Sequence, residues 1–300
     1  MKRRDFLQAI SLASLVLAGC GSSSSDPSFG GNGGAATPGL PLILSAQQAA
    51  GLVALRLAAE SKVESAPAPL LGEAILVDVD ALTVLTEQPG GLVDLTALQN
   101  FFRALGVRRD QPVVVYDDGE MKFAARVRFL LEYCGVPQAL MVDGGAPALA
   151  GLLPAGGGSA APSEFVAAAT NSPIALVFQQ QVLLAVQKGD RKIIDVRSPA
   201  EFNGQLLLPG DARPGHIPGA INVPEGDFLN GLQLRSPAEI AQLFQLAGLS
   251  PSDSIIVYCH DGAKSSLVAT LLVQQGFDKV ALYYLSYRDW SENPALPVEL

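Results

Sequence analysis

Cysteine is scarce in this chain: three in 300 residues, one of them, Cys20, closing an apolar stretch near the N-terminus. The other two, Cys134 and Cys259, do not make a disulfide framework. Charge is scarce as well. Only 16% of residues are charged against 49% hydrophobic, which excludes the high-charge, low-hydrophobicity pattern of disorder. Lys and Arg number 20 against 29 Asp and Glu, and no basic stripe is present to neutralise phosphates. Nucleic acid is therefore not an expected partner, and no metal or cofactor is expected. The length fits two domains of about 100–150 residues each.

The N-terminus reads as a targeting segment. Lys2-Arg3-Arg4 is a positive start, and the apolar stretch Phe6–Ala18 has thirteen residues. A helix needs about twenty to cross a bilayer, so this stretch is too short to span. Leu17-Ala18-Gly19-Cys20 resembles the lipobox of bacterial lipoproteins, and Arg3-Arg4-Asp5-Phe6-Leu7 resembles a twin-arginine export signal. The expectation is a signal peptide over 1–19, lipidation at Cys20, and a Gly-, Ser- and Pro-rich tether over 20–41. Loss of residues 1–19 removes three positive charges and one negative from a net −9, leaving about −11. Such a body is held at an anionic membrane by acyl chains, not by charge. The expected location is exported and lipid-anchored, facing the periplasm.

From about residue 42 short apolar runs alternate with amphipathic stretches. Strands are expected at Ala74–Val77, Pro112–Tyr116 and Ala139–Val142, with helices over Leu95–Leu105 and Phe123–Tyr133 stopping at Gly106 and Gly135. Residues 151–172 have the composition of a linker. The order then recurs: strands at Lys192–Asp195, Ser254–Tyr258 and Val280–Tyr283, and helices over Pro237–Leu246 and Ser265–Gln275. Alternating strand and helix predicts an α/β fold with mostly parallel sheets flanked by helices, in two copies over 42–150 and 173–300. Val113–Asp117 matches Ile255–Cys259 at an offset of 142, and Gly135 matches Gly276 at 141. Asp78 beside Asp195, at 117, implies about 25 extra residues in the second copy, assigned to Pro209–Pro224.

The stretch Tyr258-Cys259-His260-Asp261-Gly262-Ala263-Lys264-Ser265 follows an apolar strand and opens a helix. In parallel α/β sheets ligands bind beyond the carboxyl ends of strands. A cysteine there meets loop N–H groups and a helix N-terminus, both of which favour an anion and hence the thiolate. Gly262 lets the loop curl, and Lys264 adds positive charge.

Upstream stand Asp195-Val196-Arg197-Ser198-Pro199-Ala200-Glu201-Phe202 and Gly215-His216-Ile217-Pro218-Gly219-Ala220, and downstream Tyr287-Arg288-Asp289-Trp290. With the Cys-x-x-Gly-x-Lys-Ser loop between them, residues 175–295 resemble the rhodanese family in motif and order. The resemblance implies a sulfurtransferase: Cys259 takes sulfane sulfur from a small donor (a persulfide, thiosulfate or mercaptopyruvate) and passes it to a thiol or cyanide. It assigns Asp195 and Arg197 to an ion pair serving the fold and His216 to orienting the turn before Pro218, with general acid work as its alternative. His260 is expected to face solvent. Asp117, with the acidic loop that follows it, resembles the non-catalytic first domain of tandem sulfurtransferases, and no His-Ile-Pro-Gly-Ala stretch is read there. Cys134 is expected in the core.

Two departures bear on the donor. Asp261 and Glu201 stand where thiosulfate-preferring members carry basic residues, so a dianion is expected to be disfavoured. Leu285 precedes Ser286 where many relatives have glycine. Among competing functions, the related dual-specificity phosphatases need Cys-x5-Arg, and the sixth residue after Cys259 is Ser265. A membrane-tethered binding or sulfur-carrier module without efficient turnover is the remaining alternative.

Overall fold

Unbroken apolar runs such as Val113–Tyr116 become strands covered on both faces, the burial that parallel sheets require. The computed structural model describes residues 40–62, 69–168 and 172–300. The expected signal peptide, Cys20 and nearly all of the tether lie outside the described residues.

In chain order the first half contains β1 (Ile43–Leu44), α1 (Ala46–Gly51), β2 (Leu55–Glu60), β3 (Ile75–Asp78), α2 (Val79–Glu87), α3 (Thr96–Ala104), β4 (Val113–Tyr116), α4 (Lys122–Tyr133), β5 (Ala139–Val142) and α5 (Gly145–Leu149). The second contains β6 (Ile174–Leu176), α6 (Gln179–Lys188), β7 (Lys192–Asp195), α7 (Pro199–Phe202) and β8 (Ile221–Asn222). A 3-10 turn (Glu225–Phe228) and the hairpin strands β9 (Leu229–Asn230) and β10 (Gln233–Leu234) follow. Then come α8 (Pro237–Leu246), β11 (Ser254–Tyr258), α9 (Ala263–Gln274), β12 (Lys279–Leu282) and α10 (Ser286–Glu292). The two large sheets have orders β1-β5-β4-β2-β3 and β6-β12-β11-β7-β8, parallel throughout. One sheet order maps onto the other strand for strand.

That mapping corrects the expected pairing of Asp78 with Asp195. Tyr116 lies opposite Ala58 and Tyr258 opposite Asp195, so β7 answers to β2, while β3, which carries Asp78, answers to β8. Ala58 precedes Tyr116 by 58 residues and Asp195 precedes Tyr258 by 63, so the second half is longer there by five residues, not about 25. The His-Ile-Pro-Gly-Ala stretch also has a counterpart. Tyr258 Oη accepts from the Ile217 N–H at 3.1 Å, and Tyr116 Oη accepts from the Leu71 N–H at 2.8 Å. Gly219 and Glu73, two residues on, both have positive φ (73° and 61°). Leu70–Ala74 therefore repeats the bend of His216–Ala220 without its histidine or proline.

The halves share one wall. The helices α4 and α9 pack along each other, and residues 123–131 of α4 are all buried. A helix buried on every side is hydrophobic all round, yet α4 carries Arg126 and Arg128, both at most 2% exposed. Apolar residues of both halves join in a single cluster. Residues 150–168 follow the first half: Leu71 and Ala74 form isolated bridges to Ala155 and Gly157, and Phe165 is buried.

Each half also lays a segment over the loop of the other. The Leu234 N–H in the second half's hairpin donates to Asp143 Oδ1 at 2.8 Å, and Leu232 packs at Gly119. From the first half's α2, Thr86 Oγ1 lies 3.4 Å from Tyr284 Oη, and Glu87 pairs with Arg288 at 2.5 Å.

Candidate active site

β11 ends at Tyr258, and Cys259 is the first residue beyond it, with 0% exposure. Its Sγ accepts the Gly262 N–H at 3.1 Å and the Ser265 hydroxyl at 3.4 Å. Gly262 has φ +97°, and a Cβ there would meet the Tyr284 carbonyl oxygen at 2.4 Å, so the turn that aims its N–H at the sulfur requires glycine. Helix α9 starts at Ala263, two residues before the expected position, because Gly262 serves as its N-cap. Ala263, Lys264 and Ser265 thus form a first helical turn, and Ser265 reaches back to the sulfur from it.

A second layer fixes the cysteine backbone. The Cys259 N–H donates to Ser286 Oγ at 3.1 Å, and the Ser286 hydroxyl donates to the Tyr283 carbonyl at 2.9 Å. Tyr287 and Arg288 N–H groups donate to the Cys259 and His260 carbonyls at 3.0 and 3.1 Å. Ser286 has φ +60°, a left-handed conformation costly outside glycine. Gly145, at φ 55°, takes the matching place in the first half, where the Ala146 N–H donates to the Asp117 carbonyl.

Asp261 does not stand as a free charge. Its Oδ1 accepts the Ala263 N–H at 3.2 Å and lies 3.8 Å from Sγ, while Oδ2 pairs with Arg126 Nη2 at 2.7 Å. Burial alone would raise its carboxyl, but the Arg126 charge and hydrogen bond outweigh that and hold it well below the usual carboxylate range. Arg126 Nη2 also donates to the Asp261 carbonyl at 2.7 Å and Nη1 to Thr83 Oγ1 at 2.7 Å.

Glu201, expected beside Asp261 as an opposing carboxylate, is the third residue of α7. Its Oε2 accepts from Ser198 N–H and Oγ at 3.1 and 2.6 Å in a capping box. Lys264, expected to draw an anion into the loop, stands in the first turn of α9, and the buried Glu225 carboxyl is pushed up by burial and pulled down by Lys264 and Lys122. His260, expected in solvent, is largely enclosed: Nδ1 lies 3.1 Å from Asp211 Oδ1 and Nε2 3.3 Å from Arg288 Nη2.

Asp195 and Arg197 form a buried pair at 2.6 Å, and Arg197 Nη2 also donates to the Gly215 carbonyl at 2.8 Å. The guanidinium lies 3.9 Å from the Tyr287 ring centre, so it ties the end of β7 to α10. His216 stacks on Phe202 at 3.6 Å, has Nδ1 2.9 Å from the Phe202 carbonyl, and pairs through its backbone with Glu299. These contacts fix the ring against Phe202 and the backbone against Glu299.

In the first half Asp117 occupies the cysteine's place and fills it. Oδ1 accepts from Gly119 and Met121 N–H at 3.0 and 2.9 Å, and Oδ2 from Phe123 and Ala124 N–H at 3.2 and 3.1 Å. Cys134 is buried in the core, where desolvation pushes its thiol up to about 12.

Sequence reasoning missed Arg126, Thr83, Glu87, Asp211 and the placement of Ser286 over the cysteine. A signal existed for Arg126, since arginine interrupts the otherwise apolar run Phe123–Leu131. The others come from segments distant in sequence and carry no local signature.

Known proteins resemble the chain over both halves. Residues 178–293 match the Rhodanese-like domain family. The 3-mercaptopyruvate sulfurtransferase of Escherichia coli strain K12 is 33% identical over 234 residues, 75% of this chain and 82% of that protein. The crystal structure of SseA from Escherichia coli, described as a 3-mercaptopyruvate sulfotransferase, aligns with TM-score 0.71 and 26% identity over 82% of this chain and 99% of that one. The anaerobic ergothioneine biosynthesis enzyme of Chlorobium limicola shares the fold at TM-score 0.71 and 22% identity, and this chain spans 64% of its length.

Two tandem parallel α/β domains with one cysteine-bearing strand-to-helix loop define a sulfurtransferase of the rhodanese type. The chain belongs to the rhodanese family.

Proposed function

We propose that the chain moves sulfane sulfur from a small donor to a thiophilic acceptor through a persulfide on Cys259. The observation that carries this reading is the Cys259 sulfur, held by the Gly262 N–H and the Ser265 hydroxyl at the N-terminus of α9. Donors aimed at a sulfur stabilise negative charge on it, as an oxyanion hole does on oxygen.

In the first step the Cys259 thiolate attacks the outer sulfur of the donor. A new S–S bond forms, and the donor's bond to that sulfur breaks, its electron pair leaving with sulfite, a thiolate or the enolate of pyruvate. In the second step a thiolate or cyanide attacks the terminal sulfur, and Cys259 departs as thiolate. The scheme is ping-pong covalent catalysis. Mercaptopyruvate stands among the donors because of the Escherichia coli relative. Asp261 is the carboxylate placed beside the sulfur, and it opposes a dianion such as thiosulfate less than its bare charge implies, since Arg126 neutralises it.

Mass spectrometry after treatment with thiosulfate, mercaptopyruvate or a low-molecular-weight persulfide tests this reading. The Cys259 peptide is expected to gain one sulfur atom and lose it to cyanide. An unmodified Cys259 with all three donors would overturn the proposal. The complete burial of Cys259 favours a second reading, a carrier that holds sulfane sulfur without efficient turnover. Loading without multiple turnover would select it.

The leader motifs support an exported, lipid-anchored protein with Cys20 as its acylated residue. Release of Cys20→Ala from membranes checks that location.

A further inference from the structure

Arg126 sits on α4, in the half that carries no cysteine at its loop, yet its guanidinium reaches the loop of the other half. The side chain is 2% exposed, Nη2 grips both the carboxylate and the carbonyl of Asp261, and Nε has no hydrogen-bond partner. Asp261 is 11% exposed and presents Oδ1 to the Cys259 sulfur at 3.8 Å. An uncompensated carboxylate at that distance, largely shielded from water, repels a thiolate or a persulfide anion strongly.

A second contact from the first half holds the neighbouring loop residue. Glu87 of α2 pairs with Arg288, whose other terminal nitrogen lies against His260 Nε2, while Asp211 faces His260 Nδ1. Asp261 and His260, the two residues after the cysteine, are thus both tied to the first half.

Resting on the persulfide reading above, we infer that Arg126 is a positioning residue for the Cys259 loop: it fixes Asp261 and cancels the negative charge that would oppose an anionic sulfur. The half without a nucleophile thereby supplies the electrostatic complement of the half that has one. The expected consequence of losing Arg126 is a slower-reacting cysteine, and the further loss of Asp261 should restore it.

Iodoacetamide alkylation of Cys259 in the full chain reads this directly, because the reagent is neutral and consumes thiolate whether or not sulfur is transferred. At pH 7 Arg126→Gln is expected to lower the rate about tenfold, Asp261→Asn to raise it several-fold, and the double variant to return within about threefold of the native rate. Arg126→Lys, which keeps the charge without the two-point grip, is expected to lie between native and Arg126→Gln. A double variant as slow as Arg126→Gln overturns the inference, since packing alone would then explain the loss. If Arg126→Gln does not fold, Asp261→Asn decides: a rate below native shows that the carboxylate does not oppose the thiolate. The outcome is separate from the persulfide assignment, which stands or falls on the mass of the Cys259 peptide.

Discussion

The loops that follow β4 and β11 are built on one plan and put to opposite uses. After β11 the backbone curls around a sulfur, offering it the Gly262 N–H and the Ser265 hydroxyl. After β4 the same curl encloses the Asp117 carboxylate, which takes four N–H groups for itself. An anion-binding turn at a helix N-terminus is thus present in both halves, and the residue at its centre decides whether it is a reaction site or a plug. A sulfur held by loop donors at one loop and a carboxylate with its hydrogen bonds satisfied at the other are the two outcomes of one geometry.

The largest expected effect is on the reactive side. Cys259→Ser is expected to reduce sulfur transfer to cyanide to the background rate in a steady-state assay, whereas Cys134→Ala, which removes a thiol held up near 12, should leave most of it. Equal loss from both would erase the contrast between the halves.

Gly262→Ala comes next. Its Cβ would stand 2.4 Å from the Tyr284 carbonyl at φ +97°, so a loss of about 1–3 kcal/mol in urea unfolding is expected, with transfer falling by at least about tenfold.

Asp117→Asn probes the plug. An amide nitrogen in place of one oxygen would face two N–H groups, leaving donors unsatisfied, and about 1–3 kcal/mol of stability should be lost. Transfer per folded molecule should change little; a large fall would mean that the first loop takes part in the reaction.

The smallest effect concerns pH. Arg126 holds the Asp261 carboxyl below the usual range, so its contribution to stability is fully present above the unfolded value of about 4 and is lost as pH falls through the lower folded value. The difference in Tm between native protein and Asp261→Asn should accordingly stay constant from pH 7 to about pH 5 and shrink in stronger acid.

Much of the second half was legible in the sequence because its strands and motifs are local: Lys192–Asp195, Ser254–Tyr258 and Pro237–Leu246 fold with the boundaries that periodicity predicts. The Asp195–Arg197 pair is two residues apart and equally local. Strand β2 (Leu55–Glu60) is not legible in the sequence, because its Arg, two Ala and Glu give neither an apolar run nor a clear alternation. Without β2 the sequence pairs Asp78 with Asp195, and the bend that both halves share reads as an insertion. The site escaped in part for a different reason. Arg126 and Asp261 are 135 residues apart, and their contact exists because α4 and α9 pack together. Glu201 misled because a carboxylate's direction is set by its cap, and Ser198, three residues earlier, turns it inward on α7.

The shared wall of α4 and α9 has a thermodynamic consequence. A duplicated fold can melt as two bodies if few contacts cross between them. Here the apolar cluster runs through both halves without a break, and the buried guanidinium of Arg126 finds its carboxylate partner on the other side. Separating the halves would expose that apolar cluster to water and break the buried Arg126–Asp261 pair. The chain should therefore lose heat-labile structure in one calorimetric transition, and the half without a cysteine at its loop endures as part of the cooperative unit that keeps the other folded.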